Sequence, residues 1–134
     1  MNETPESIIS HVSIGTHDLD ASTAFYDTVL PTVGAQRILE HPGAVAYGRQ
    51  LPEFWVQTPI DGKPANVGNG SHFAFIADSP AQVDAFFRAA LEAGAEPDGD
   101  PGPRPAYGAG YYGCFVRDPD GHKIEATYYD LSQL

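Results

Sequence analysis

The two halves of this chain repeat each other, and no other feature limits the fold as strongly. Displacing the sequence by 61 positions superimposes three segments without a gap: His11-Val-Ser-Ile on His72-Phe-Ala-Phe, Ala24-Phe25 on Ala85-Phe86, and Leu30 on Leu91. Displacing it by 68 positions pairs residues nearer the end of each half: Arg49 with Arg117, Val56 with Ile124, and Gln57 with Glu125. The repeat therefore predicts one structural unit used twice.

Each copy carries the signals of a strand, a helix and closing strands. Alternating residues at 8–14 and 72–77 predict the opening strands, and Ser79-Pro80-Ala81-Gln82 is typical of a helix start. The expected apolar stripes of the helices are Ala21, Ala24, Phe25, Thr28 and Val29, then Val83, Phe86, Phe87, Ala90 and Leu91. Closing strands are predicted at 44–49, 54–58, 111–117 and 123–128.

The length of the chain suits one domain rather than two. A unit of ~50–60 residues has a marginal core alone, so we expect residues 1–134 to form a single α+β domain. Its modules span about 8–58 and 72–129, and the glycine- and proline-rich segment 59–71 links them. The second copy holds seven extra residues, which we place in a loop around Asp98 to Gly110.

Charge and cysteine content exclude several classes of function. A formal net charge of −11 repels nucleic-acid phosphates and anionic membranes, so neither is an expected partner. The single cysteine, Cys114, cannot form an internal disulfide. The sequence shows no signal-peptide pattern and no apolar run of the ~18 residues that cross a membrane. These features predict a cytoplasmic protein.

The repeat also identifies candidate metal ligands. His11 and His72 open equivalent strands, and Gln57 and Glu125 are paired in the closing strands. Because strand side chains alternate between faces, the histidines should lie opposite the bulkier rows that pack under the helices. Two imidazoles and a carboxylate can bind a divalent first-row metal and leave positions free for water or substrate. A lone strand histidine is more often structural, but equivalent placement in both copies favours the metal site.

Together these residues resemble the vicinal-oxygen-chelate superfamily. The family includes glyoxalase I, extradiol dioxygenases, fosfomycin-resistance transferases, methylmalonyl-CoA epimerase and bleomycin-binding proteins. The most specific matches are His11 with the segment 18–26, the strand start at His72, and the segment 115–125 that ends in Glu125. The resemblance implies two βαβββ modules that form a curved, mixed-sheet, glyoxalase-like cleft in which a metal chelates neighbouring oxygens of a small molecule.

The resemblance places His11, His72 and Glu125 on the metal-ligand positions of the family. The fourth ligand position falls on Gln57, where enzymes of the glyoxalase I type commonly have Glu. An amide oxygen can bind a metal but cannot act as a carboxylate base, so the set is closer to the two-histidine, one-carboxylate type of non-haem iron enzymes. The expected cofactor is a divalent ion, one of Fe, Mn, Ni, Co or Zn.

Other residues are weaker candidates. We expect His17, His41 and His122 to face solvent; His41 and Gln57 are the weak candidates for an acid-base role. Substrate-binding candidates are Arg104 and Tyr107, in the loop 101–112, together with Trp55. Cys114 should be packed rather than nucleophilic.

Two classes of function fit these features. The first is a metal-dependent lyase, isomerase or dioxygenase-like enzyme that acts on a small oxygenated metabolite. The alternative is a metal-independent ligand-binding protein of the bleomycin-resistance type, whose cationic ligand would suit the acidic chain; a family member without a working cleft is a third reading. We also expect a homodimer, with Phe54, Trp55, Tyr128 and Tyr129 supplying apolar contact. The sequence leaves open whether one chain or two form the cleft.

Overall fold

The computed structural model describes residues 7–133. The first module contains β1 (Val12–Gly15), α1 (Leu19–Val29), β2 (Gln36–His41), β3 (Ala44–Gly48) and β4 (Phe54–Gln57). The second contains β5 (His72–Ile76), α2 (Pro80–Glu92), β6 (Glu96–Pro103), β7 (Tyr111–Arg117) and β8 (Lys123–Tyr129). Residues 58–71 between them hold no helix or strand. The predicted unit of strand, helix and closing strands is thus present twice.

Each module forms one four-stranded mixed sheet. The strand orders are β1-β4-β3-β2 and β5-β8-β7-β6. In both sheets the opening strand pairs in parallel with the last strand of its module, and the other pairings are antiparallel. The parallel pairing requires a crossover, which the helix of the module supplies. The α+β class and the βαβββ repeat are therefore confirmed.

The helices begin where the sequence provides capping side chains. Asp18 accepts a hydrogen bond from the main-chain N–H of Ala21, and Ser79 accepts one from that of Gln82. Both caps satisfy a donor that the first helical turn leaves unpaired. Since both caps lie seven residues after the histidines, His11 and His72 are structural equivalents.

The predicted apolar stripe of α1 is wrong by about one residue. Ala21, Ala24 and Thr28 are exposed, whereas the buried residues of the helix are Ser22, Thr23, Phe25, Tyr26 and Val29. Tyr26 fixes which face of α1 turns toward the core, because its ring is fully buried and its hydroxyl donates a hydrogen bond to the second module. In α2 the deepest residues are Val83, Phe86 and Ala90, as the stripe predicted.

Both modules contribute to one hydrophobic core. The ring of Phe54 on β4 lies 6.3 Å from that of Phe73 and 5.0 Å from that of Phe75, both on β5. Phe54 is 3% exposed, so the prediction that it contributes to a dimer contact is wrong: the contact it makes is within the chain. Cys114 is buried in the same core, and burial raises the pKa of its thiol to about 12.

The turn between β7 and β8 ties the modules together. Asp118 accepts a hydrogen bond of 2.6 Å from Tyr26 of α1, and Asp120 accepts one of 2.6 Å from Thr16, just after β1. His122 donates from Nε2 to the carbonyl of Gly15 at 2.7 Å. The prediction that His122 faces solvent is therefore wrong; it is buried at the junction between the modules.

Strand β6 occupies part of the predicted loop 98–110. Its sequence, Glu-Pro-Asp-Gly-Asp-Pro-Gly-Pro, has three prolines and two glycines. It is an edge strand with irregular pairing between Pro97 and Gly99 and between Gly99 and Gly102. Proline is tolerated at an edge because its missing N–H is not needed by a second neighbour. In the part of the chain from 7 to 133, no helix is long and apolar enough to cross a membrane.

Candidate functional site

His72 and Glu125 come together on the outer face of the second sheet. On β5, Phe73 and Phe75 turn toward the core while His72 lies on the opposite face, as the alternation predicted. Glu125 is on the neighbouring strand, opposite Ala74, two positions beyond the partner of His72. The Nε2 atom of His72 lies 3.2 Å from Oε1 of Glu125.

The two oxygens of Glu125 have different surroundings. Oε2 accepts hydrogen bonds from the hydroxyl of Tyr111 at 2.6 Å and from that of Thr127 at 2.5 Å. Oε1 faces His72, and the residue as a whole is 6% exposed. Burial, and then the hydrogen bond to Glu125, raise the pKa of the Tyr111 phenol to about 12, so Tyr111 donates a proton to this bond at neutral pH. Only one oxygen of Glu125 is left for a further ligand.

This arrangement fits a divalent metal ion. Two atoms that each lie ~2.1 Å from a first-row metal are about 3 Å apart at octahedral angles, and His72 Nε2 and Glu125 Oε1 are separated by 3.2 Å. Buried carboxylates are costly unless they are paired or coordinate a metal. Hydroxyl donors on Oε2 would also orient Glu125, as partners of metal-ligating carboxylates commonly do. The separation and the partners of His72 and Glu125 are thus compatible with two ligands of one metal ion.

His11 is not part of this cluster within one chain. It directly precedes β1, is exposed, and its Nδ1 lies 3.0 Å from the hydroxyl of Ser10. Groups of three or more potential ligands within 4.8 Å of one another, sought among residues 7–133, do not include His11 with His72 and Glu125. The three predicted ligands are thus divided between the two modules.

The pairing of Gln57 with Glu125 in the sequence repeat is wrong by two residues. The N–H of Thr16 donates to the carbonyl of Gln57, and the equivalent N–H of Ala77 donates to that of Thr127. Gln57 is therefore equivalent to Thr127, and the residue equivalent to Glu125 is Trp55, opposite Ser13. Trp55 and Glu125 are 70 positions apart instead of the expected 68, so the second copy holds two more residues than the sequence pairing implied, and sequence identity alone cannot locate them.

Trp55 stacks on His41. Their rings are 5.9 Å apart and almost parallel, with an interplanar angle of 5°. His41 is the last residue of β2, and it pairs with Ala44, which in turn pairs with Gln57. The indole N–H of Trp55 is bonded to the carbonyl of Pro52 at 3.1 Å. An indole offers no lone pair to a metal, so the first module presents an aromatic wall where the second presents a carboxylate.

Arg104 and Tyr107 lie beside Glu125 in the second module. The guanidinium of Arg104 is 5.1 Å from the centre of the Phe115 ring, and Phe115 pairs with Glu125 across β7 and β8. Tyr107 packs edge-on against Tyr111 at 5.2 Å. Both substrate-binding candidates thus lie next to the contact between His72 and Glu125.

Among residues 7–133, one group of three side chains is close enough together to hold a metal ion. The ligand atoms of Asp118, Asp120 and His122 lie within 4.8 Å of one another. However, each carboxylate oxygen already accepts a hydrogen bond, from Tyr26, Thr16 or main-chain N–H groups. His122 Nε2 is bonded to the carbonyl of Gly15. Geometry and partners together assign this group to the junction between the modules.

Two residues around Glu125, Tyr111 and Thr127, were not among the site residues predicted from the sequence. The period of two gave a signal for Thr127, because it shares a face with Glu125 on the same strand. Tyr111 gave none, because its contact with Glu125 depends on the antiparallel register of β7 and β8, which pairs Tyr111 with Tyr129 and brings the side chain back over the sheet.

The comparisons with known proteins agree with the fold. The sequence model of the Glyoxalase/Bleomycin resistance protein/Dioxygenase superfamily matches residues 8–126. A glyoxalase/bleomycin resistance protein from Albidiferax ferrireducens has a crystal structure similar to this chain, with a TM-score of 0.83, 39% identity, and coverage of 91% of this chain and 98% of that one.

Two further proteins are similar to this chain over most of its length. The uncharacterised protein PA2024 of Pseudomonas aeruginosa is 34% identical over 90% of this chain and 87% of its own length. The structure of lactoylglutathione lyase from Agrobacterium tumefaciens matches with a TM-score of 0.66 and 26% identity, and covers 98% of this chain and 100% of that one. With a family model that spans most of its length and a fold that agrees, this chain belongs to the glyoxalase/bleomycin resistance protein/dioxygenase superfamily.

Proposed function

We propose that this protein is a metal-dependent enzyme, a lyase, isomerase or dioxygenase, that acts on a small oxygenated metabolite. Its metal ligands are His11, His72 and Glu125, and the ion is Fe, Mn, Ni, Co or Zn. The observation that carries the proposal is the pair of His72 Nε2 and Glu125 Oε1, 3.2 Å apart, with the second oxygen of Glu125 held by two hydroxyl groups.

The residues of the chain have distinct roles in this proposal. A bound divalent ion would act as a Lewis acid toward vicinal oxygens of the substrate. His72 and Glu125 hold that ion, Tyr111 and Thr127 orient Glu125, and Arg104 and Tyr107 border the space for the substrate. Gln57, opposite Gly15, remains a candidate for contact with the substrate or metal.

We further propose that a second copy of the chain supplies His11. Within one chain, His11 does not join His72 and Glu125. A homodimer that placed the first sheet of one copy against the second sheet of the other would form two complete sites, as the symmetry of a two-fold interface requires. Trp55 and His41 would then form the wall that faces His72.

Metal analysis of tag-free protein tests the metal site. We expect close to one divalent ion per chain after incubation with Fe, Mn, Ni, Co or Zn, and we expect His72→Ala and Glu125→Ala to lose it. His17→Ala is the matched control, because His17 is exposed and lies just after β1, the strand that His11 precedes. A wild-type protein that takes up none of these ions would refute the proposal.

Mixing variants tests whether the site is shared. His11→Ala and Glu125→Ala chains should each fail to bind metal alone. After unfolding and refolding together, about a quarter of the sites should contain neither substitution and should bind metal. If the wild type binds metal and the mixture does not, the site is formed within one chain.

A metal-independent binding protein of the bleomycin-resistance type is the second candidate. It is favoured by Trp55, an aromatic residue at the position equivalent to Glu125, stacked on His41. The net charge of −11 would attract a cationic ligand. In this case Trp55→Ala would abolish ligand binding, whereas Glu125→Ala would leave it unchanged.

A further inference from the structure

A cavity of about 290 Å³ lies next to His72, and Glu125 is not one of the residues that line it. Its walls are residues 67–71 at the end of the linker, His72, Arg117 and Lys123. Gly68 and Gly70 belong to this wall, and Gly70 has a φ of +91°, which favours glycine. Without side chains at these positions, the main chain itself borders the cavity.

The charges at this cavity are unbalanced in favour of cations. Arg117 donates from Nε to Asp98 at 3.0 Å, and Nζ of Lys123 lies 3.9 Å from the same carboxylate oxygen. Two cations thus share one carboxylate. Both side chains remain partly exposed, at 42% and 33%.

A third cation lies close by. Arg104 and Lys123 both approach the ring of Phe115, at 5.1 and 4.9 Å from its centre. The hydrogen bonds of Arg104 go to the main-chain carbonyls of Gly102, Gly113 and Asp100, which do not cancel its charge. Three of the seven Lys and Arg residues of a chain with net charge −11 are therefore gathered around His72. Local positive charge of this kind concentrates anions in a cleft.

We propose that this cavity binds the carboxylate or phosphate group of an anionic small molecule, through Arg117 and Lys123. Guanidinium and ammonium groups form charge-assisted hydrogen bonds with both kinds of anion. A ligand bound here would have its remaining atoms beside His72. That this ligand is the substrate of the metal site rests on the proposed function, whereas anion binding itself does not.

Amide NMR titration of metal-free protein tests the anion site. Methylphosphonate and acetate are suitable probes, because both carry one methyl group and differ in the anion. We expect saturable shifts at the amides of Gly68, Gly70 and His72. Tighter binding of methylphosphonate would identify a phosphate site, and tighter binding of acetate a carboxylate site. Shifts scattered over the surface without saturation would overturn the proposal.

Two lysine variants give a matched comparison. Lys123→Gln removes a charge from the cavity, and Lys63→Gln removes the same charge from an exposed position in the linker. We expect Lys123→Gln to weaken anion binding about tenfold, since a charge-assisted hydrogen bond is lost, and Lys63→Gln to change it less than twofold. Equal losses in both variants would show that net charge alone attracts the anion, and would contradict a specific site. A protein that binds the anion but never a metal would contradict the proposed function and support this one.

Discussion

The structure gives Tyr111 a role that the sequence did not indicate. Its hydroxyl donates to Oε2 of Glu125 and leaves Oε1 toward His72. Without this donor, only Thr127 holds Oε2 of Glu125, and metal binding should weaken by the roughly 10- to 100-fold that loss of a partner to a metal ligand costs. We therefore predict such a loss for Tyr111→Phe, measured by calorimetric titration with Zn or Ni.

The adjacent residue provides the control for this measurement. Tyr112 also donates to a carboxylate, Asp84 at 2.8 Å, but from a half-buried position against α2. Tyr112→Phe should keep the metal affinity of the wild type. If the two variants bind metal equally well, Tyr111 does not orient Glu125.

A second tyrosine, Tyr26, makes the stability of the fold depend on pH. Burial, followed by the neighbouring carboxylate of Asp118, holds the pKa of the Tyr26 phenol well above its ordinary value of 10.0. The unfolded chain would release this proton near its ordinary pKa while the folded chain retains it. The folded state then binds more protons, so the free energy of unfolding falls as the pH rises beyond about 10.

We predict two effects of Tyr26→Phe. At pH 7 the free energy of unfolding should fall by about 1–3 kcal/mol, because the buried Asp118 carboxylate loses a donor. Above pH 10 the loss of stability with rising pH should be shallower than in the wild type. Urea unfolding at pH 7 to 11 measures both, with Tyr129→Phe, at an exposed position, as the control. An unchanged slope would show that Tyr26 does not contribute to alkaline unfolding.

The site could be predicted from sequence only where it follows from strand alternation. His72 and Glu125 were placed on one face by the period of two, and they are in contact. The exchange of Gln57 for Trp55 as the equivalent of Glu125 was not predictable, because register is set by main-chain pairing and a shift of two residues preserves the alternation. The junction residue His122 was missed for a similar reason: its partner is a main-chain carbonyl in the other module.

Among the elements, the starts of the helices were the easiest to predict, and the edge strands β2 and β6 were the hardest. The caps Asp18 and Ser79 are visible in sequence because each side chain acts within its own turn. Strand β2 has six exposed residues, and β6 is rich in proline, so neither shows alternation. Both are edge strands, with one paired neighbour each. Each is held in its sheet by hydrogen bonds to a single neighbouring strand, and a local sequence pattern does not reveal that pairing.

The cap of α1 allows a direct test at this scale. Asp18→Ala removes the acceptor for the N–H of Ala21 and should cost about 1 kcal/mol of unfolding free energy. Asp20→Ala removes an equal charge two residues later, within the first turn of α1. There the exposed side chain stabilises the helix only through its interaction with the helix dipole, so we expect a loss of at most ~0.5 kcal/mol. Urea unfolding of the two variants compares them. Equal losses would show that charge at the helix start, and not the capping hydrogen bond, stabilises α1.

At the scale of the whole molecule, the proposed metal ligands are divided between the two modules, so the proposed site needs a second chain to be complete. The outer face of the second sheet exposes Ile76, which is 69% accessible and lies opposite Thr127 on the same face as His72. A second copy that brought its His11 to this face would cover Ile76. The inner faces of both sheets, by contrast, are already buried in the common core. The outer faces are therefore the surfaces left for an interface that completes the site.

Ile76→Glu should disrupt such a dimer. A carboxylate buried in an apolar contact is costly, and two copies related by a two-fold axis would each carry one. We predict that the wild type has twice the mass of the 14.4 kDa chain in light scattering at micromolar concentration, and that Ile76→Glu shifts it toward 14.4 kDa. Metal affinity should fall in parallel, because His11 is lost together with the partner. Ile60→Glu places the same charge at a fully exposed linker position and should change neither property. A dimer that persists in Ile76→Glu, or a wild type that binds metal as a monomer, would place the interface or the third ligand elsewhere.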